Sequence, residues 1–315
     1  MESQVKVSWQ SRLTNIFCKL MVRPFFKGEN IQSFRKNYAA IDKFMSMFIR
    51  QGQINLQPSQ FGSVSGSEYR QVDPNALVIL YFHGGGYHMP ITSLHKKMIG
   101  RLAETLNATV FVPYYRLGPE HLFPAAHNDC YDTYLWLLGQ GYDHKKIVLI
   151  GDSVGGSIVL ATLLRAKEEK RELPLAACCF SPMADFSFSS DSMNRNNGLD
   201  ALMWKENVID MLRPYGGENI DNAYLSPVLG DFRGIDNLLI HVSNTELMFD
   251  DSVRLAKSIE QVQGSVELKV WNKQLHAHVA ISWLPESKQC LDITMEFVTR
   301  CLAIKKGASA NAVAH

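Results

Sequence analysis

Apolar positions along the chain fall into two patterns. Unbroken apolar runs occur at Ala76-Leu77-Val78-Ile79-Leu80-Tyr81-Phe82, Thr109 to Val112, Ile147 to Ile150, Ala176 to Phe180, Asn237 to Val242 and Val266 to Val270. A strand covered on both faces reads this way, so these six predict a mostly parallel sheet. Between and after them apolar residues recur at helical spacing, predicting helices over 94–106, from Pro124 to about Gln140, over 157–171, over 200–212 and from Pro285 to about Ile304. Pro124 suits a first helical turn, where its missing N–H is not needed. In 200–212 the apolar stripe is Leu202, Trp204, Val208, Ile209 and Leu212, ended by Pro214 and Gly216-Gly217. The implied class is α/β, with helices on both faces of the sheet.

Two helices stand ahead of any strand. Residues 8–26 space Trp9, Leu13, Ile16, Phe17, Leu20 and Met21 helically up to Pro24; residues 31–49 do the same with Phe34, Tyr38, Ile41, Phe44, Met45 and Phe48. They could pack on the core, or lie over the site as a cap whose aromatic and methionine face meets substrate. The first also carries Arg12, Lys19, Arg23 and Lys27, which suits weak attachment to a membrane surface. Residues 186–198 are rich in Ser and Asn and read as a loop; 306–315 are small and polar and read as a disordered tail.

The 315 residues suit one large α/β domain with an elaboration, or two domains. A net charge of +1 gives no sign of a nucleic-acid partner. Six cysteines lie at 18, 130, 178, 179, 290 and 301 without C-x-x-C spacing, which reads as reduced, buried thiols. No apolar run approaches the roughly 20 residues of a membrane span, and the N-terminus lacks the pattern of a signal peptide. The expectation is a cytoplasmic protein, monomer or homodimer.

Chemistry concentrates where strands end. Gly151-Asp152-Ser153-Val154-Gly155 follows a strand and precedes a helix, which is the context of a G-x-S-x-G nucleophile elbow. Gly151 and Gly155 let strand and helix approach closely, and the helix N-terminus aims its N–H groups at the place where negative charge develops. The run His83-Gly84-Gly85-Gly86-Tyr87, directly after strand 76–82, can turn backbone N–H groups into a pocket as an oxyanion loop does. His83 precedes the nucleophile and is read as bracing this loop. After strand 237–242 three carboxylates follow, Glu246, Asp250 and Asp251. Ser243-x-x-Glu246 also fits a helix capping box; Glu246 is preferred as the acid. After strand 266–270 come His276 and His278, with His276 preferred as the base. A His-x-His metal site would need a third ligand within reach.

These stretches together resemble the hormone-sensitive-lipase-like family of α/β-hydrolase esterases, over about residues 70 to 300. His83-Gly84-Gly85-Gly86 is similar to its oxyanion motif, and Gly151-Asp152-Ser153-Val154-Gly155-Gly156 to its GDSAGG, with Val154 in place of Ala. Tyr115-Arg116-Leu117-Gly118-Pro119-Glu120-His121 resembles its YRLAPEH; Ser181-Pro182 with Asp185, and Tyr224-Leu225-Ser226-Pro227, echo it as well. Glu246 to Asp251 aligns with the family's D-P-L-x-D-E and puts Glu at the catalytic acid. The family's His, followed two residues on by an aromatic, selects His276, with His278 at the aromatic's place.

The resemblance implies an α/β-hydrolase fold with a helical cap: 1–50 and 186–217 as cap, 51–185 and 218–305 as core, 306–315 as tail. It implies a serine carboxylic-ester hydrolase for short- to medium-chain acyl esters. Ser153, His276 and Glu246 would form the triad, and Gly84, Gly85 and Val154 the oxyanion hole, supported by His83, Gly86 and Asp152. Neither cofactor nor metal is implied, and the partner is a small-molecule acyl ester. An amidase or acyltransferase on the same triad, and a non-catalytic receptor on the same fold, are the alternatives.

Overall fold

The computed structural model describes residues 6–26, 30–47, 55–73 and 76–313. Among them eight strands form one sheet: β1 (Gln57–Phe61), β2 (Val64–Tyr69), β3 (Leu77–Phe82), β4 (Ala108–Pro113), β5 (Ile147–Asp152), β6 (Ala176–Phe180), β7 (Leu238–Ser243) and β8 (Val266–Trp271). Their spatial order is β1-β2-β4-β3-β5-β6-β7-β8. β1 pairs with β2, and β2 with β4, antiparallel; every pair from β4 across to β8 is parallel. All six expected strands are present, each within a residue or two of its expected bounds.

The unbroken apolar runs have a simple cause. Every residue of β3 to β7 is buried, because helices cover both faces. Along β3, Val78, Leu80 and Phe82 enter one apolar layer and Leu77, Ile79 and Tyr81 the other, by the two-residue period of a strand. The first layer is shared with α4 (Ala125–Gly139), α5 (Val154–Glu168) and α8 (Phe249–Gln261); the second with α3 (Ser93–Leu106) and α9 (Pro285–Val313). Each large side chain buried here contributes about 1.5–3 kcal/mol over leaving it in water.

The structure departs from expectation where local pattern was weakest. β1 (Gln-Pro-Ser-Gln-Phe) and β2 (Val-Ser-Gly-Ser-Glu-Tyr) carry too little apolar alternation to be seen in the sequence. β1 is the sheet's edge, where Pro58 is tolerated. α5 begins at Val154, not 157, so Gly155 and Gly156 are helical. A short helix, α6 (Asp191–Arg195), interrupts the Ser/Asn-rich loop.

Helix 200–212 is displaced to α7 (Lys205–Gly216). The buried Asp200 carboxylate accepts the N–H groups of Leu202 and Met203 and winds that stretch into a turn first. Pro214 lies inside α7, which ends at Gly216. α9 continues to Val313, so residues 306–313 are helical and not the disordered tail expected; 314–315 lie outside the described residues.

The N-terminal helices are α1 (Trp9–Phe17), which runs on through a widened turn at Cys18–Val22 and a tightened one at Arg23–Phe26, and α2 (Ile31–Ser46). Residues 48 and 49 of the second expected helix lie outside the described residues. All six cysteines are buried, and none forms a disulfide among the described residues. No helix among the described residues is long and apolar enough to cross a membrane.

Candidate active site

At the end of β5 the chain turns through Ser153 with φ 54° and ψ −124°. A residue with a side chain is held there at a cost of about 1–3 kcal/mol. The surroundings fix it: the Ser153 N–H donates to the Phe180 carbonyl of β6 at 2.8 Å. The turn is possible only with glycine on either side. A Cβ on Gly151 would strike the Gly155 carbonyl, and one on Gly155 would strike the Phe82 carbonyl at the end of β3. Val154, next in line, heads α5, whose first N–H groups lack partners within the helix.

Asp152 organises the neighbouring loop. Its buried carboxylate accepts the Gly84 N–H at 2.9 Å, the Tyr81 hydroxyl, and His95 Nε2 at 3.2 Å. Burial alone would raise its pKa, but these donors hold it down to about 2, so it is an anion that fixes the glycine loop to the elbow. His83 donates from Nδ1 to the Gly84 carbonyl at 2.7 Å and stacks on Tyr115 at 4.3 Å between ring centroids. Tyr115 Oη donates to the His83 carbonyl at 2.7 Å. Burial pushes His83 down to about 4, leaving it neutral and structural.

One expected role is corrected by this network. The Gly84 N–H is engaged by Asp152 and is not free to receive an oxyanion. The glycines that line the cavity at Ser153 are Gly85, at φ +114°, and Gly86, at φ +62°. Gly86, expected to support the loop, lines the cavity, and Gly84, expected in the oxyanion hole, bonds to Asp152. The count of three glycines could not order them, because the deciding partner, Asp152, lies 68 residues away.

The carboxylates separate by their partners. Glu246 Oε2 lies 2.7 Å from His276 Nδ1, while its Oε1 accepts the Ser243 N–H at 2.6 Å and the Ser181 hydroxyl at 2.9 Å. Asp250 instead accepts the Ser192 N–H at 2.8 Å and Arg195 at 2.7 Å. Asp251 is buried with no hydrogen bond among the described residues, 4.0 Å from Arg254 Nη1. Of these three, Glu246 is the one bonded to a histidine.

The histidines separate as clearly. His276 lines the cavity with Ser153, held at Nδ1 by Glu246, and its Nε2 has no partner among the described residues. Burial would lower its pKa, but the hydrogen bond and charge of Glu246 prevail and raise it. Glu246 is itself raised, by burial, against the opposing pull of His276. His278 lies edge-on against Trp271 at 4.9 Å, outside the cavity, and burial pushes it down to about 3. Among the described residues no group of three or more His, Cys, Asp or Glu side chains could hold a metal ion.

The cavity of about 320 Å³ has Ser153, Gly85, Gly86, Val154 and His276 on one side. Phe17, Phe34 and Tyr38 of the N-terminal helices, with Trp204 and Met211 of the 186–217 stretch, close it on the other. Sequence reasoning missed the residues that tie this stretch to the acid's loop. Asn196 Nδ2 donates to the Glu246 carbonyl at 2.7 Å, and Asp200 accepts the Leu247 N–H at 3.2 Å. Their separations of 50 and 47 residues leave no local signal. Ser181 carried a signal, in its Ser-Pro echo of the family, but no role.

A mostly parallel sheet thus carries a strained serine at a strand-to-helix turn, and His276, bonded to Glu246, lines the same cavity. The alpha/beta hydrolase fold model matches residues 79–280, more than half of the chain, and the chain belongs to that family.

Its relatives specify the kind. An esterase of Acinetobacter venetianus is 29% identical over 265 residues, 82% of this chain and 86% of that protein. Esterase LipU of Mycobacterium tuberculosis is 30% identical over 254 residues, 78% of this chain and 85% of that one. Among solved structures, a hormone-sensitive lipase from a metagenome library superposes with a TM-score of 0.86 at 27% identity, covering 94% of this chain and all of that one. EstE5, soaked with p-nitrophenyl butyrate, does so with 0.84 at 28% identity, covering 94% and 99%. The chain is an enzyme, a hydrolase of the carboxylesterase and lipase class in the hormone-sensitive-lipase-like group.

Proposed function

We propose that the chain hydrolyses short- to medium-chain carboxylic esters through an acyl-enzyme on Ser153. The observation that carries this reading is the 2.7 Å contact of Glu246 with His276 Nδ1, which leaves Nε2 unpartnered on the cavity that Ser153 lines. His276 Nε2 takes the Ser153 proton as Oγ attacks the ester carbonyl. Glu246 holds the imidazole in the tautomer with the proton on Nδ1 and stabilises the imidazolium. The N–H groups of Gly85, Gly86 and Val154 receive the oxyanion, each worth about 10²–10³ in rate. Collapse breaks the bond to the alcohol oxygen, which leaves with the proton from His276. Water, deprotonated by the same nitrogen, then releases the acid and restores Ser153.

The helices α1 and α2 and the 186–217 stretch act as the cap. Their aromatic and methionine side chains give the acyl chain an apolar wall, and the cavity's size suits a short to medium chain. The test is a fluorophosphonate probe together with p-nitrophenyl esters of rising chain length. Stoichiometric labelling of Ser153, lost in Ser153→Ala with a fall in turnover of roughly 10⁴ or more, is expected. Labelling at another serine, or an active alanine variant, refutes the assignment.

A further inference from the structure

α1 turns small polar side chains toward the protein: Ser11, buried, donates to Glu286 Oε2 at 2.7 Å and to Gln274 Oε1 at 3.0 Å, and Ser8 Oγ, at its N-cap, donates to Glu286 Oε2 at 2.9 Å. Its apolar side chains face out. Trp9 is 68% exposed, Leu13 57%, Ile16 55% and Leu20 66%, at a spacing that keeps all four on one face. Phe17 and Met21 extend that face, and the exposed Trp283, whose Nε1 donates to Thr14 Oγ1 at 3.3 Å, adjoins it. Isolated exposed apolar residues are ordinary, but a contiguous face of this kind marks a contact surface.

Charge and position select the occupant. From Lys6 to Lys27 the chain has five cations and no carboxylate, and Lys6, Arg12 and Lys19 are exposed. A two-fold dimer through this face would set these cations against their own copies. An anionic lipid surface would neutralise them while taking the apolar side chains into its acyl boundary. The face is also continuous with the reaction cavity, since Thr14, Phe17, Cys18 and Val22 of the same segment, and Trp283, line it.

We propose that α1 docks on an anionic lipid surface through Trp9, Leu13, Ile16 and Leu20, so that ester substrates pass from the lipid into the cavity beside it. The route for substrate rests on the esterase reading; the docking does not, and it is read without turnover. The experiment is co-sedimentation of the full chain with phosphatidylcholine vesicles made with and without phosphatidylglycerol. A double variant, Leu13→Asp with Leu20→Asp, is compared; both positions are exposed and outside the cavity lining.

Binding to the phosphatidylglycerol vesicles, weakened by salt and cut about tenfold or more in the double variant, is expected, with hydrolysis of a soluble short-chain p-nitrophenyl ester unchanged. No binding by the wild type, or equal binding by the variant, overturns the proposal. So does a wild-type dimer that the variant converts to monomer with no vesicle association, which assigns the face to a second copy. Failure of soluble turnover alone counts against the esterase reading and leaves the docking result standing.

Discussion

The sheet-edge loops that hold Ser153, Glu246 and His276 and the helices that cover them are built on opposite principles. The two buried carboxylates there, Asp152 and Glu246, are each fixed by several bonds from different segments. Asp152 alone draws on Tyr81, Gly84 and His95, and Glu246 on Ser181, Ser243 and His276. The cover meets the cavity mainly with apolar side chains. α2 is tied by Arg35, which donates Nε to the His88 carbonyl at 3.0 Å and both Nη groups to Glu120, and by Asp42, which accepts the Ser93 N–H at 2.8 Å. A charge held by three donors in a dry site tolerates almost no displacement, whereas an apolar wall can change its side chains without moving the chemistry.

That contrast orders the expected effects of substitution. The largest belong to the acid–base pair. His276→Ala should abolish turnover, and Glu246→Gln should cost up to about 10⁴ while the fold persists, each measured as kcat/KM on one short-chain ester with circular dichroism as the control. His278→Phe should stay within a few-fold of wild type, because its ring is outside the cavity. The base works unprotonated and Glu246 raises the pKa of His276. The acidic limb of kcat/KM should therefore lie above the ordinary imidazole value of about 6.5. In Glu246→Gln the residual activity should fall off at lower pH, since the raising charge is gone. A limb that does not move separates Glu246 from the base.

A smaller loss is expected one step out. Asp152 is assigned a positioning role, acting through the Gly84 loop that it anchors. Asp152→Asn keeps the volume but loses the charge that orders Tyr81, Gly84 and His95, which should misplace Gly85 and Gly86. The expected loss is about 10² in kcat with KM little changed, and fluorophosphonate labelling should persist at a reduced rate. A change confined to KM would show that the loop shapes binding only.

At the cover, the expected effect is on substrate choice. Arg35→Ala removes bonds to His88, Gly118 and Glu120 together and should raise KM several-fold for the longest acyl chain turned over, with kcat nearly constant. Glu120→Gln tests the ion pair alone. Glu120 is more than half exposed, and an exposed ion pair contributes little, so it should change KM less than about twofold.

The same division governs what could be read from the sequence. The six parallel strands were legible because burial on both faces forces continuous apolar runs, and the elbow because only glycine permits its close approach. The alignment with the family's motifs also picked the histidine that lines the cavity and the carboxylate that bonds to it, His276 and Glu246. The hairpin of β1 and β2 was not, since an exposed sheet edge needs little apolar pattern. Nor were the ties between cover and core, such as Asn196 to Glu246 and Asp200 to Leu247, because hydrogen bonds between distant segments impose no spacing. The exchange of Gly84 and Gly86 has the same origin, since identical residues are told apart only by their tertiary partners.

The smallest effect on activity, and a distinct one on stability, is expected where cover and core meet. Asp251 in the first turn of α8 is 1% exposed, near Asp185 and Arg254, and burial pushes its pKa up to about 7. An unfolded aspartate titrates near about 3.9, so between these values the folded chain holds a proton that the unfolded chain has released. Stability attributable to this group is full below about pH 4, is lost as pH rises towards 7, and stays lost above. Asp251→Asn cannot ionise and should remove that loss, raising stability at pH 8 by about 1–4 kcal/mol and changing it little at pH 4. Urea unfolding of both proteins at the two pH values measures the difference. Turnover of a short-chain ester should remain within a few-fold, because Asp251 lies outside the cavity lining. Equal stability of the two proteins at pH 8 would mean that Asp251 is ionised and satisfied in the folded chain, with Arg254 closing the 4.0 Å gap. The seam would then be fixed by charge, as the sheet edge is.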